Sequence, residues 1–319
     1  MTVDLTRTSG RTGGDPGRSG RAGGAGDAGK RRALLGAQSL GILFSAPYLI
    51  FIGVVFAYPI VFAVWMSFHD YFFTAPGANV DRPFVGLDNY VTALSDPAVW
   101  RSFGNVGIFL LINVPLTVVL SIVLATALDR VVRARAFFRV AFYVPYVAVV
   151  AVWLFLFSNT GLINNALGPL APNPSWLVNS ALAMPTIALF VTWKGLGFYI
   201  LLYLAALQNV QRELYESVAV DGGGRLRQFF SVTVPGVRPA TFLVVLLATI
   251  TGANLFTEPY LLTNGGGPNG ASTSPVLLIY QKGIEQQNPD VAAAIGVVLI
   301  IFVLIIAALQ RRFVGREES

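Results

Sequence analysis

Apolar runs long enough to cross a membrane repeat along the chain. A transmembrane helix needs about 20 mostly apolar residues. Residues 33–69 and 102–128 carry no charged side chain, and the uncharged run at 140–193 is too long for one helix and is interrupted by polar residues, Gly and Pro at 158–180. The pattern predicts six transmembrane helices, at about residues 38–66, 102–128, 140–158, 183–207, 240–260 and 291–310.

The two ends of the chain do not share this pattern. Residues 1–32 are rich in Gly, Arg, Ser and Thr, and such a segment buries too little apolar surface to offset its chain entropy. We therefore predict a disordered tail at 1–32, a six-span domain at 33–312 and a short second tail at 313–319. Residues 24–30 match the start of a phosphate-binding loop, but Arg31 replaces the required Ser or Thr and no strand precedes the motif. We expect neither an ATPase site nor a cofactor.

Composition supports a membrane protein and excludes several kinds of enzyme. Hydrophobic residues make up 55% of the chain and charged residues 12%, whereas soluble domains carry about 25% charged residues. The chain has no cysteine and one histidine, His69, which excludes disulfides, thiolate metal sites and histidine clusters. Asp70, Asp81 and Asp88 are interpreted as parts of a solvated loop or landing surface, not as metal ligands. No catalytic residue is expected.

The distribution of positive charge predicts the orientation of the chain in the membrane. Lys and Arg concentrate in the cytoplasmic loops of membrane proteins. Eighteen of the 22 lie in the N-terminal tail, the 129–139 and 208–239 segments and the C-terminal end, while Arg82, Arg101 and Lys282 lie on the opposite side. Both termini are therefore predicted to be cytoplasmic. The net charge of +6 then reflects topology and contact with anionic lipid, and we expect no nucleic-acid partner.

The segment 208–239 is far longer than a connection between two spans requires. Its first part predicts a short helix with an apolar stripe formed by Leu214, Val218 and Val220, and the glycines at 222–224 are expected to end that helix. A second amphipathic piece is predicted from Leu226, ending at Pro235. A surface helix without an obvious partner in its own chain is a candidate docking element.

Three motifs resemble those of the permease subunits of binding-protein-dependent ABC importers. The family pattern E-A-A-x-x-D-G-A, followed downstream by I-x-L-P, is similar to a set of residues in the 208–239 loop: Glu216, Ser217, Val218, Asp221, Gly222 and Gly223, then Val232, Val234 and Pro235. Upstream, residues 203–208 (Y-L-A-A-L-Q) resemble the segment that leads into this loop. Downstream, residues 262–268 (L-T-N-G-G-G-P) resemble the L-T-x-G-G-P of carbohydrate-type permeases, which carry maltose, oligosaccharides or glycerol phosphate.

The resemblance implies an all-α integral membrane protein with the six-helix type I ABC importer permease fold. In the family, the short helix of this loop sits in a cleft of a separate ATPase subunit. It implies that Glu216 and Asp221 make polar docking contacts, that Val218 and Val220 make apolar ones, and that Gly222 permits the turn. The competing interpretation is a solvated loop whose acidic residues only cap a helix.

The resemblance also implies partners, because the chain has neither a motor nor a capture module. These are a second and non-identical permease subunit, a cytoplasmic ATPase dimer and an extracytoplasmic substrate-binding protein, all assembled in the plasma membrane of a bacterial cell. The expected function is import of a sugar or sugar derivative, with alternating access driven by the ATPase.

Polar residues within the spans are candidates for the substrate pathway. Lys194 falls in the middle of the fourth span, about 15 Å deep at 1.5 Å per residue, while Glu258 falls near the outer surface at about 27 Å. Because these depths differ, a direct Lys194–Glu258 bridge is not expected. Asn254 and Glu258, four residues apart on one helical face, are candidates for hydrogen bonds to sugar hydroxyls. Tyr260, with Trp193 and Tyr199, is a candidate for stacking on a sugar ring.

Other functions remain open at this point. An ion-coupled secondary transporter needs ionisable groups within its spans, and Lys194 is the clearest one here. Lys194 also has a structural interpretation, as a snorkelling side chain or a donor to carbonyls of a broken helix. An ABC importer of a non-sugar solute fits the same motifs. An intramembrane enzyme and an exporter subunit fit less well, because no catalytic pair is found and the loop motif is typical of importers.

Overall fold

The structure is a computed structural model of the chain, and it describes residues 44–75, 77, 80–129 and 149–314. Within these residues the regular elements are helices, and one isolated β-bridge joins His69 to Phe84. The helical class is therefore as predicted, since in lipid a helix satisfies its own backbone polar groups. The predicted tail at 1–32, most of the tail at 313–319 and the first half of the predicted third span lie outside the described residues.

The helices are numbered here in chain order. They are α1 Phe44–Met66, α2 Asp88–Ser95, α3 Pro97–Asp129, α4 Val149–Leu156, α5 Leu162–Leu167, α6 Ala183–Leu207, α7 Arg212–Val220, α8 Arg225–Gly236, α9 Arg238–Ala253, α10 Thr257–Leu262, α11 Pro275–Tyr280 and α12 Pro289–Val314. Wider π-helical turns occur at Gly53–Ala57 in α1, at Phe229–Thr233 in α8 and at Gln281–Glu285 after α11.

Four of the described helices, α1, α3, α6 and α12, are long and apolar enough to cross a membrane. A fifth span is counted if α8 and α9, which meet at an angle of 69°, are taken together. The predicted fourth span, 183–207, coincides with α6, and the predicted second and sixth spans lie within α3 and α12. The described part of the predicted third span is α4.

The predicted fifth span, 240–260, is wrong as a continuous helix. Helix α9 ends at Ala253, and the chain leaves helical geometry before α10 begins at Thr257. Pro259 has no N–H to donate to the carbonyl of Leu255, and its ring clashes with that carbonyl in a straight helix. The Leu255 carbonyl instead accepts a hydrogen bond from the hydroxyl of Ser274. The carbonyl that the break frees therefore still has a hydrogen-bond partner.

Helix α6 is the centre of the core, and its two halves belong to two clusters. Its first half packs with Phe109 of α3 and Leu255, and its second half packs with Ile122 of α3 and Val244 of α9. Helix α3 packs along α6, and three of its small residues are fully buried: Thr117, Ser121 and Ala125. Membrane helices associate through close packing of this kind, because lipid removes the hydrophobic driving force.

Helix α1 differs from the central helices in its burial. No residue of its segments Gly53–Ala57 and Tyr58–Met66 is buried. The chain divides within this helix into two units, residues 1–60 and residues 61–319. The described part of the first unit is apolar helix throughout, which is the composition that a lipid environment requires.

Candidate functional site: the 208–239 loop and the α6 cavity

Helix α7 presents the motif residues of the 208–239 loop on an exposed surface. None of its residues is buried, and Val220 is 87% exposed. Glu216 and Ser217 are exposed, and Val218 is half-buried. The predicted short helix is therefore present, and its acidic side chains are exposed. Three further apolar side chains of the same loop are also exposed: Leu214, Leu226 and Phe230. Several exposed apolar side chains in one segment are a feature of contact surfaces.

The turn after α7 depends on glycine. Gly222 has φ +74°, and its N–H donates to the Ala219 carbonyl at 3.0 Å, while the Gly223 N–H donates to the Val218 carbonyl at 2.8 Å. This pair of bonds is the Schellman arrangement that ends helices at a left-handed residue. Asp221, exposed, occupies the position just before it. The prediction that the glycines end this helix is confirmed.

Gly223 is restricted for a different reason. A Cβ atom built on it would lie 2.5 Å from Cγ1 of Val218 and 2.7 Å from the Val218 carbonyl oxygen. The family pattern has Ala at both positions. This chain has the larger Val218 and the smaller Gly223 instead. Because the two positions lie against each other, the smaller residue leaves room for the larger one.

Helix α8 ends at Gly236, one residue beyond the predicted end of the second amphipathic piece at Pro235. The helix widens at Phe229–Thr233, where the Val234 N–H donates to the Phe229 carbonyl, and it continues through Pro235 to Gly236. A π-turn is one of the distortions by which a helix can accommodate local irregularity. The chain then bends by 69° into α9.

Tyr215 ties α7 to α8, and sequence reasoning missed this residue. Its hydroxyl lies 3.1 Å from Oγ1 of Thr233, which is buried, and its carbonyl accepts from Nε2 of Gln228 at 3.3 Å. The two loop helices are therefore joined through one residue of α7, by its side chain and its backbone carbonyl. The signal in the sequence was a single aromatic residue on a short amphipathic helix.

A cavity of about 390 Å³ lies beside α6, and we call it the α6 cavity. Cavities of about 300–1,000 Å³ are the usual size for small-molecule sites. The lining residues come from α3, α6, α9 and α10: Asn113, Val191, Lys194, Gly195, Phe198, Tyr199, Leu247, Ile250, Thr251 and Glu258. The lining combines apolar and aromatic groups with a few polar ones, as ligand sites do.

Lys194 and Glu258 form an ion pair in this cavity, contrary to the expectation from their depths. Lys194 Nζ lies 3.1 Å from Glu258 Oε1, and the two side chains are 26% and 14% exposed. Lys194 Nζ also lies 5.9 Å from the centre of the Phe190 ring. The depth calculation failed because it counted Glu258 along an unbroken helix, whereas the chain leaves the helix at 254–256. The pair joins α6 to α10.

Asn254 and Glu258 do not share a helical face, because the helix is interrupted between them. Asn254 Nδ2 donates to the Ile250 carbonyl at 2.9 Å, and the residue is exposed outside the cavity lining. Tyr260 stacks on Phe256 at 5.4 Å between ring centres and also lies outside that lining. Of the predicted pathway residues, the structure brings Lys194 and Glu258 together and places Asn254 and Tyr260 elsewhere.

Three uncharged polar residues complete the cavity, and their signals in the sequence are weak. Asn113 Nδ2 donates to Oγ1 of Thr192 at 2.8 Å, which joins α3 to α6. Thr251, which lines the cavity together with Tyr199, donates its hydroxyl to the Leu247 carbonyl at 2.9 Å. An amide in the middle of an uncharged span, such as Asn113, is the kind of residue that marks a helix contact or a pathway.

The glycine-rich motif after α10, which we call the 262–274 turn, is packed against other helices. Asn105 Nδ2 of α3 donates to the carbonyls of Gly270 and Thr273, both at 2.9 Å, and Gln281 Nε2 donates to the carbonyl of Gly265 at 2.9 Å. Buried backbone carbonyls need such partners. Side chains of α3 and of the segment after α11 therefore hold the turn in place through hydrogen bonds.

Long apolar helices around a small cavity with an internal ion pair define a polytopic membrane protein of the transport class. The sequence profile of the family "Binding-protein-dependent transport system inner membrane component" matches residues 114–318. The chain belongs to this family and is a multi-pass protein of the bacterial plasma membrane.

Individual relatives agree with this assignment. The chain is 32% identical to the probable ABC transporter permease protein YurN of Bacillus subtilis strain 168, over 86% of this chain and 97% of that protein. It is 32% identical to the arabinooligosaccharides transport system permease protein AraP of the same organism, over 86% and 88% of the two chains. The lactose transport system permease protein LacF of Rhizobium radiobacter is 29% identical, over 88% and 95%.

The fold is similar to that of a solved permease. A chain in the crystal structure of a bacterial ABC transporter that imports the acidic polysaccharide alginate superimposes with a TM-score of 0.70 at 22% identity, covering 91% of this chain and 98% of that chain. The two chains therefore share one helical fold.

Proposed function

We propose that the chain is the membrane-spanning permease subunit of an ATP-driven importer and carries a sugar or sugar derivative. An external binding protein delivers the solute, and a separate ATPase subunit drives alternating access. The observation that carries the proposal is α7, a helix with no buried residue, held on α8 and ended by the Gly222 turn. Permeases named for arabinooligosaccharides and lactose are among the relatives.

The proposed topology has six spans, with both termini and the 208–239 loop in the cytoplasm. It is supported by the charge distribution, since eighteen of the 22 Lys and Arg residues fall on that side. The chain has no ATPase site of its own in this proposal. Its partners are a second, non-identical permease, an ATPase dimer, the binding protein and membrane lipid. A related alginate importer has been crystallised with its sugar-loaded periplasmic protein.

We propose that the exposed surface of α7 docks on the ATPase. Glu216 and Asp221 supply polar contacts, Val218 and Val220 supply apolar ones, and Ser217 lies among them. Movement of α7 passes to α8 through Tyr215. Helix α8 continues through Pro235 and bends into α9, which lines the α6 cavity. Closure of the ATPase pair would thus move one wall of the cavity.

We propose that the α6 cavity is part of the solute path. Lys194 and Glu258 offer charged hydrogen-bonding groups, and Phe198 offers an aromatic face, since it is 50% exposed. Asn254 and Tyr260 stay candidates for an adjacent part of the path, because both are exposed side chains within a few residues of Glu258.

The proposal is tested by cross-linking, and the cysteine-free chain makes the experiment simple. Val220→Cys places a single thiol on α7, and Leu170→Cys, at an 84% exposed position predicted to be external, is the matched control. In the assembled complex, Val220→Cys should cross-link to the ATPase subunit and Leu170→Cys should not. Labelling of Val220→Cys from outside the cell, or failure to capture the ATPase, would overturn the proposal.

An ion-coupled transporter is the alternative, because Lys194 and Glu258 are ionisable groups at membrane depth. Uptake measured in cells depleted of ATP but holding a proton gradient separates the two functions. The importer requires that uptake stop. An ABC importer of a non-sugar solute is distinguished by a panel of solutes in the same assay.

A further inference from the structure

The charges in the α6 cavity balance each other. Among the described residues that line it, the charged side chains are one lysine, Lys194, and one carboxylate, Glu258. They are in contact at 3.1 Å and mostly shielded from solvent. The remaining described lining residues are uncharged. The described part of the lining thus presents hydrogen-bonding groups without a net charge.

This arrangement is unfavourable for an anionic solute. An anion that approached Lys194 would have to compete with Glu258 for it, and it would then lie beside the Glu258 carboxylate. Like charges repel more strongly away from bulk water, because the effective dielectric constant is lower there. A hydroxyl group meets no such penalty, since it can donate to the carboxylate and accept from the ammonium group.

The uncharged lining residues favour the same kind of solute. Tyr199 and Thr251 carry hydroxyl groups and Asn113 carries an amide, while Phe198 presents an exposed ring. Polar groups beside an apolar and aromatic wall suit a molecule with hydroxyl groups and apolar C–H faces. We infer that the carried solute is an uncharged saccharide, and that Glu258 determines this specificity by neutralising Lys194. This inference rests on the proposed importer function.

Membership of the family does not decide the charge of the solute. The relatives include permeases named for arabinooligosaccharides and lactose, which are uncharged, and for sn-glycerol-3-phosphate, which is an anion. The solved neighbour imports an acidic polysaccharide. The choice between these classes therefore depends on the particular side chains of each permease.

The test compares two disaccharides that differ at C6, where galactobiose carries neutral hydroxymethyl groups and digalacturonate carries carboxylates. Their binding is measured by saturation-transfer NMR on the assembled permease–ATPase complex in lipid nanodiscs, without the external binding protein, so that its own selectivity does not contribute. Wild type should bind galactobiose with an affinity roughly tenfold or more above that for digalacturonate. Glu258→Gln should lower this ratio about tenfold, because it leaves Lys194 charged.

Two further variants serve as controls. The double variant Lys194→Gln/Glu258→Gln removes both charges and should keep the preference for galactobiose. Asp96→Asn breaks an ion pair of similar geometry with Lys282, at 2.8 Å, that lies outside the cavity lining, and it should leave the ratio unchanged. Retention of the ATPase subunit on size exclusion shows that each variant is folded.

Each outcome is decisive. Equal or tighter binding of digalacturonate by wild type, or a ratio that Glu258→Gln does not change, overturns the inference. If neither disaccharide binds while binding-protein-dependent uptake of a saccharide proceeds, the inference is wrong and the importer function stands. If no saccharide in a panel is taken up with its binding protein and ATP, the proposed function itself fails.

Discussion

Two glycine-rich loops of this protein carry family motifs, yet they differ in physical state. In the 208–239 loop, no residue of α7 is buried. In the 262–274 turn, Ser272 and Ser274 are fully buried, and Asn105 and Gln281 bind its carbonyls. Exposed apolar groups on a loop leave a surface on which another chain can pack, whereas buried and hydrogen-bonded groups are already satisfied within this chain. The second loop holds this chain together, whereas the first leaves a surface free that we propose contacts another protein.

The difference shows what glycine does in each loop. Gly222 has a positive φ, and a Cβ atom added there would meet nothing within 4 Å. Gly266 also has a positive φ, of +110°, but a Cβ atom there would lie 2.1 Å from Oγ1 of Thr273. Gly222 is therefore needed only for its backbone conformation. Gly266 is needed both for its backbone conformation and because there is no room for a side chain. Substitutions at these positions should separate the two roles.

The largest loss of stability is expected for Gly266→Ala. The strained φ and the overlap with Thr273 together should cost about 2–5 kcal/mol. The variant should be recovered at much lower yield, with a lower midpoint of thermal unfolding in detergent. Thr273→Ala in the same background removes the nearest side-chain atom and should restore part of the loss. Normal yield and unfolding temperature for Gly266→Ala would contradict this account of the 262–274 turn.

Gly222→Val should have a smaller effect on stability and abolish transport. A β-branched residue at φ +74° costs about 1–3 kcal/mol, and it changes the direction in which α7 ends. ATP-driven uptake and co-purification of the ATPase should be lost while membrane insertion remains. Gly224→Val is the matched control, because Gly224 has φ −73° and open space around it. Transport that survives Gly222→Val unchanged would remove the basis for the docking role of the loop.

A weaker and coupled effect is expected for Gly223 and Val218. Gly223→Ala should destabilise the turn by about 1–3 kcal/mol, because the added methyl group meets the Val218 side chain and carbonyl. Val218→Ala removes the side-chain part of this overlap, so the double variant should be more stable than the sum of the single effects predicts. Uptake rates and unfolding midpoints are measured for wild type, the two single variants and the double variant, which together form a double-mutant cycle. Simple additivity would show that the two positions are independent.

The smallest effect expected is the dependence of stability on pH that arises from the Asp96–Lys282 ion pair. Hydrogen bonding to Lys282 holds the pKa of Asp96 below its usual 3.8, against the opposing effect of burial, and the Ala98 N–H lowers it further. A depressed folded pKa means that this stabilisation is present above about pH 4 and is lost as pH falls through the folded pKa. The unfolding midpoint of wild type should therefore drop more than that of Asp96→Asn on acidification below pH 4. Parallel curves would exclude this contribution.

Local features of the molecule could be predicted from the sequence, and features that join distant segments could not. The bounds of α6 and the turn at Gly222 depend on nearby residues, so apolar length and glycine position were sufficient. The break before α10 was missed, although Pro259 signalled it, because the partner of the freed carbonyl is Ser274, nineteen residues further along. The Lys194–Glu258 pair was not expected for the same reason, because the depth of Glu258 can be calculated correctly only if the break before α10 is taken into account.

The interruption between α9 and α10 has a mechanical consequence. Three residues outside helical geometry separate α9 from α10, so a rotation of α9 need not turn α10 by the same amount. Helix α10 carries the carboxylate that meets Lys194, and α9 continues from the bend with α8. In the topology that we propose, a pull from the cytoplasmic face can therefore move α9 while α10 keeps its contacts with neighbouring helices.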